Sequence, residues 1–213
     1  MNQPRYNVAE RYAALLNAGE ELFCQEYDLA KPKLIAEKAG VSIGLFYRHF
    51  KNKREMLTEI MVQHLNILHS QIETALDRDL SVETALYTVL ILTMEYFQQH
   101  QQIIKLFFLE VGYGDFIATA KLNRARQTYR YFLEKIIERG IEEKIFLDET
   151  ILDVELAINS IIGTINWSIY ELLIVRNKSL EAKSYTDRLL PHILRSLSAY
   201  PQSTGNLNPR FNR

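Results

Sequence analysis

Apolar residues recur at helical spacing from Val8 to Tyr200, and no extended run of alternating positions argues for strands. The first stripe, Tyr12, Leu15, Leu16, Ala18, Leu22 and Phe23, predicts a helix over 8–27. Pro32 suits the first turn of a second helix, where a missing N–H costs nothing. That helix, 33–38, stops at Ala39-Gly40, because glycine readily takes the left-handed conformation that closes a helix. Ser42 is placed to cap a third short helix ending near Phe50. Asn52 and Lys53 open a longer fourth helix that reaches about Asp77.

Five more helices follow. Ser81 caps the first, and the second spans 101–111 and breaks at Gly112-Tyr113-Gly114. The third covers 116–144, with a weak point at Gly140. The fourth starts near Asp148-Glu149, acids that favour a helix N-terminus, and runs to Arg176. The last, 180–199, is kinked or interrupted at Pro191. The expected fold class is all-α with about nine helices.

Hydrophobic residues make up 47% of the 213 and charged residues 24%, a balance that supports a real core. The formal net charge is −1, so any affinity for nucleic acid must come from a local patch. Cys24 is the one cysteine, which excludes an internal disulfide and fits a reducing cytoplasm, with a buried structural thiol as its reading. Residues 1–11 carry no apolar core of a signal peptide. The greasy stretch 156–175 is interrupted by Asn159, Asn166 and Glu171 and reads as deeply packed, so no membrane partner is expected.

The informative stretch runs from Ile35 to Phe50. Two helices of about two turns, joined by a tight turn, have the spacing of a helix-turn-helix. Ile35, Ala36 and Ala39 pack inward, Val41 plugs the turn, and Phe46 and Phe50 at i and i+4 face the core. That phasing turns Ile43, Gly44, Leu45, Tyr47, Arg48 and His49 variously towards solvent. Between Ser42 and Arg54 the cations Arg48, Lys51, Lys53 and Arg54 stand with no acid among them. Lys53, Arg48, Tyr47 and the backbone N–H groups at the helix start are suited to phosphates. Ile43 and Leu45 are suited to thymine methyl groups, and Gly44 permits close backbone approach.

The segment IAEKAGVSIGLFYRHFKNKREML resembles the signature of the TetR family of bacterial transcriptional regulators, and the preceding LNAGEELF resembles that family's first helix. The resemblance covers about 15–57. It implies that helices one to three bind a double-stranded DNA operator and that later helices bind a small-molecule effector and form a homodimer. It further implies DNA contacts from Ser42, Ile43, Gly44, Leu45, Tyr47, Arg48, His49 and Lys53. The family's usual Gly-aromatic pair and Ser or Thr cap before helix two are replaced here by Glu26-Tyr27-Asp28-Leu29-Ala30-Lys31-Pro32. Lys31 or Lys33 is left to supply the phosphate contact. The expected organisation is an arm over 1–7, a DNA-binding domain over 8–52 with its motif at about 31–50, an effector-binding and dimerisation domain over 53–200, and a disordered tail over 201–213.

In the body, Ile158, Ile161, Ile162, Ile165, Ile169, Leu172 and Leu173 wrap more than one helix face, and Gly163 permits close approach. With Leu189, Leu190, Ile193, Leu194 and Leu197 they suggest a four-helix dimer seam, for which Ile158, Ile162, Ile165, Ile169, Leu190, Ile193, Leu194 and Leu197 are the candidates. Polar and aromatic residues in otherwise apolar helices suggest a pocket for a large apolar or amphipathic molecule. The candidates are Asn66, Tyr87, Phe107, Glu110, Tyr129, Asn159, Asn166 and Trp167. His64 and His69 stand five apart with no third ligand evident, so no metal and no cofactor are expected. No Gly-rich phosphate loop, GxSxG or HExxH supports an enzyme. A helical protein–protein adaptor would explain the apolar helices but not the cation-rich turn.

Overall fold

Helix boundaries in this chain are set by capping chemistry, and a computed structural model, describing residues 8–110, 120–148 and 152–198, shows where each one falls. The helices are α1 (Val8–Glu26), α2 (Pro32–Lys38), α3 (Ile43–His49), α4 (Lys53–Leu76), α5 (Val82–Gln99), α6 (Gln101–Glu110), α7 (Ala120–Glu142), α8 (Val154–Tyr170) and α9 (Ala182–Leu197). α8 continues as one π-helical turn, Glu171–Val175. There is no strand among the described residues. The arm over 1–7, the Gly112-Tyr113-Gly114 break and the tail over 201–213 lie outside them.

Three caps explain three starts. The Asn52 side chain accepts from the Glu55 N–H, that of Ser81 from the Thr84 N–H, and that of Asp153 from the Leu156 N–H. Ser42 is different: its backbone is extended as an N-cap requires, but its hydroxyl makes no capping bond. α2 ends with Gly40 at φ +67°, while the Val41 N–H reaches the Ala36 carbonyl and the Gly40 N–H that of Glu37. This pair of bonds satisfies carbonyls the helix end would strand, and only glycine holds that φ without strain.

Three sequence expectations need correcting. α8 starts at Val154, not near Asp148-Glu149, because Asp153 is the residue that caps it. Of the two readings at Pro191, kink or interruption, the second is overturned, since α9 continues through it. Gly140 is no weak point but a seat: a Cβ there would lie 2.2 Å from the Phe146 ring, which folds back onto α7.

α5 is the central post, packed against α4, α7 and α9, and one apolar core extends from Leu15 to Leu197. α1 packs on α2, α4 and α6, so the N-terminal helices sit directly on the body. A Cβ at Gly19 would lie 2.6 Å from the Met56 sulfur, so α1 and α4 cross closely. α8 with its π turn, Val154–Val175, is long and apolar enough to cross a membrane, and little of it is buried within the subunit. The deep packing expected of it is thus absent on its outer face.

Candidate functional site

α3 is pinned by its two phenylalanines. Phe46 and Phe50 are buried, and Phe50 stacks on Tyr12 of α1 at 5.7 Å. Pinning that face leaves Ile43, Gly44, Tyr47 and Arg48 exposed, with Tyr47 58% accessible. Ser42, Lys51 and Lys31 are exposed beside them, and Lys33 reaches only a loose contact, 3.9 Å, with Glu37. The outward positions of α3 thus present Ile43, Gly44, Tyr47 and Arg48, with further cations exposed on the segments before and after it.

Three candidates sit differently. Leu45 is half-buried against the core. His49 lies edge-on to Tyr12 at 5.0 Å, and its Nε2 is buried without a partner. Lys53 is half-buried and donates to the Tyr27 carbonyl at 2.7 Å, with its ammonium 3.9 Å from the Tyr27 ring centre. Lys53 therefore straps the start of α4 to the turn between α1 and α2. Its bonding to a residue 26 positions away left no trace in local patterning.

In the body, a cavity of about 60 Å³ lies among α4, α5, α6, α7 and α8. Of the pocket candidates it gathers Phe107, Tyr129 and Asn166. Asn66 is exposed on α4, Glu110 ends α6 in solvent, and Trp167 faces outward. Tyr87 donates weakly to Asp187 at 3.4 Å, and Asn159 accepts from Arg130. These five do not line it. Periodicity alone cannot say which way a lone polar residue on an apolar helix points.

Sequence reasoning missed His69 and Arg126 in the cavity wall, which Thr93 also lines. The Thr93 and Tyr129 hydroxyls lie 3.0 Å apart, and burial pushes the Tyr129 phenol up to about 12. The His69 Nε2 has no partner, and burial lowers its pKa to about 4. The ring is neutral at pH 7, a polar point on an apolar wall. The unfolded chain takes up a proton below about pH 6.5 while the folded one resists until about pH 4, so stability falls across that window. Urea unfolding should show His69→Leu losing less stability than the native chain on acidification, by up to about 3 kcal/mol. Equal losses would place His69 in a wetter setting.

The seam candidates divide by burial. Ile158, Ile165, Ile169, Ile193 and Leu197 are buried within the subunit, while Ile162, Leu190 and Leu194 are half-buried. The outer face of α8 instead shows Leu156, 63% accessible, and Trp167, 61% accessible, with Ser160 and Gly163 between them. Trp167 stacks on Tyr170 at 5.7 Å. His64 and His69 part company as well: His69 faces the cavity, and His64 meets Glu20 and His100.

Residues 15–60 match the family described as bacterial regulatory proteins, tetR family. The chain is 23% identical over 181 residues to a fatty acid metabolism regulator protein of Bacillus subtilis (strain 168), covering 80% of this chain and 92% of that one. An uncharacterized HTH-type transcriptional regulator of the same organism is 25% identical over 134 residues, 62% of this chain and 70% of its own. Among solved structures, the transcriptional regulator FadR from Bacillus subtilis in complex with stearoyl-CoA superposes with a TM-score of 0.74 at 20% identity, covering 87% of this chain and 99% of that one. The matched segment contains α2, the turn and α3, so residues 15–60 resemble the DNA-binding region of the TetR family of bacterial regulatory proteins, and the fold is shared with FadR along nearly the whole length.

Proposed function

We propose that the chain is a homodimeric, ligand-responsive regulator, acting in the cytoplasm as a repressor, that grips a double-stranded DNA operator through α3. The observation that carries this reading is the outward face of α3, where Ile43, Gly44, Tyr47 and Arg48 stand clear while Phe46 and Phe50 hold the helix from behind. Ser42 and Lys51 flank that face; Lys31 and Lys33 stand at the start of α2 as phosphate partners, and Lys53 acts by steadying the turn. Residues 8–52 form the DNA-binding domain, and the helices that follow carry effector binding and dimerisation.

The second copy docks on the outer face of α8. Ser160 and Gly163 allow helices to approach closely there, and a Cβ on Gly163 would meet nothing within 4 Å in the single subunit. Trp167 is the anchor of that seam, and the predicted isoleucines lie one face too far inward.

The effector is a long-chain acyl thioester of coenzyme A. The cavity wall is apolar apart from His69, the Thr93–Tyr129 pair, Arg126 and Asn166, which suits an acyl chain with a polar end. Residues 120–132 of α7 carry Lys121, which pairs with Glu59 of α4, and Arg124, Arg126 and Arg130, a setting for the phosphates of the coenzyme. The similar proteins named for fatty acid metabolism and solved with stearoyl-CoA point the same way. At about 60 Å³ the cavity is several-fold smaller than a typical ligand site of roughly 300–1,000 Å³. The ligand must therefore part the helices around it, and this differential affinity for an opened state is what makes a release switch.

Selection of bound duplexes from a random library, followed by anisotropy, tests the reading. Binding should weaken steeply with salt, and stearoyl-CoA should release the DNA while free coenzyme A does not. A chain that selects no duplex loses the regulator reading; release by coenzyme A alone loses the acyl assignment.

A further inference from the structure

Three side chains from distant parts of the sequence converge where α1 crosses the body. Glu20 comes from α1, His64 from α4 and His100 from the junction of α5 and α6. One donor atom of each lies within 4.8 Å of the other two, and the Glu20 Oε1 is already 3.0 Å from the His64 Nε2. Among the described residues this is the one group of three His, Cys, Asp or Glu side chains so arranged.

We propose that Glu20, His64 and His100 bind a divalent transition-metal ion of the zinc class, tying α1 to α4 and α5. A carboxylate with two imidazoles is a donor set such ions accept, and three protein ligands leave a fourth tetrahedral position for water. Ligand atoms around zinc stand roughly 3.3 Å apart, so small side-chain rotations convert the cluster into a coordination shell.

The surroundings fit the ligand role. The His64 Nδ1 lies 2.8 Å from the Tyr96 hydroxyl, the outer partner that orients a metal-bound imidazole. Without metal, the Nε2 donates to Glu20 and the tyrosine donates to the Nδ1. With metal on the Nε2, the neutral ring takes its other tautomer and the Nδ1–H donates to Tyr96. Burial keeps that phenol up at about 12, so it retains its proton throughout. The hydrogen bond from His64 holds the Glu20 carboxyl below its usual range, keeping it anionic. Burial lowers the pKa of His100, which favours the neutral ring that ligates. His100 packs on His64 at 4.6 Å and on Tyr96 at 4.4 Å, so the cluster is held from behind. Cys24, one turn beyond Glu20 on α1, feels its charge but stands outside the group.

Zinc and cobalt(II) titrations of the full chain test this. One equivalent should bind in competition with a chromophoric chelator, and cobalt should give the intense visible bands of a tetrahedral site. His100→Gln and Glu20→Gln should weaken binding by at least about tenfold and remove those bands. Tyr96→Phe, which keeps the ring packing, should weaken it by about tenfold. His192→Gln, on the exposed face of α9, should change nothing. Zinc should raise the Tm of the native chain and not of His100→Gln, a difference that loss of fold does not mimic. No stoichiometric binding, or binding unchanged in both ligand variants, overturns the site. Duplex binding by metal-free protein is read separately, so failure here leaves the regulator reading standing.

Discussion

Replacing Tyr47 and Arg48 together by alanine is expected to lower operator affinity by at least about a thousandfold. Both side chains stand on the free face of α3, and Tyr47 lies edge-on to Phe46 at 5.3 Å without being buried by it. Each lost contact to a base or phosphate costs about 1–3 kcal/mol, and a dimer loses four of them. Even the low end, about 4 kcal/mol, corresponds to that factor. The salt dependence should flatten at the same time, since the guanidinium contacts on both half-sites are gone. Far-UV dichroism and Tm should stay at native values because Phe46 and Phe50 still hold the helix. Lys53→Ala is the instructive contrast: it should weaken DNA binding and lower the Tm together, because it cuts the strap to Tyr27. Native affinity in the double variant would mean that α3 is not the reading element.

Trp167→Glu should leave a monomer of 24.9 kDa in sedimentation at micromolar concentration. The indole is exposed on the open face of α8, where the seam proposed above would set an identical helix against it. Substitution removes the largest apolar anchor from each subunit and sets two carboxylates in a desolvated seam. Burying unpaired charge there costs several kcal/mol, enough to weaken association roughly a thousandfold. The monomer should retain its helical content, since Ile158, Ile165 and Ile169 remain packed beneath it. A variant that stays dimeric would move the seam to another surface.

The helices were legible in the sequence because caps and apolar periodicity are local. Pro32, Gly40, Asn52 and Ser81 each mark a boundary through chemistry within four residues of it. The inward phase of α3 was legible for the same reason, from Phe46 and Phe50. What periodicity could not assign was the partner of each face. In α8, isoleucines at 158, 165 and 169 face the core, and the outer surface is marked by small residues and one tryptophan. Counting apolar residues favours the inner row, which the subunit itself buries, and gives no weight to the exposed face that carries Leu156 and Trp167. Pocket residues failed similarly: Asn66, Asn159 and Trp167 interrupt apolar helices only because they lie outside them. The group formed by Glu20, His64 and His100 joins residues 44 and 36 apart, a relation that spacing rules do not register.

α4 is the longest helix among the described residues. Its 24 residues make an arm about 36 Å long, with the cavity wall along its middle and the Lys53 strap at its tip. Because that strap and the close crossing at Gly19 fasten α1 and its turn to the arm, a tilt of α4 would carry them with it, with the packing of α1 on α6 yielding at the same time. A tilt of about 5° about the far end displaces the tip by about 3 Å, and two subunits opening together change the span between their reading helices by about 6 Å, against a groove repeat of about 34 Å. A shift within the cavity smaller than the width of a methyl group is thus enough, once multiplied along the arm, to leave one of the two helices out of step with its groove.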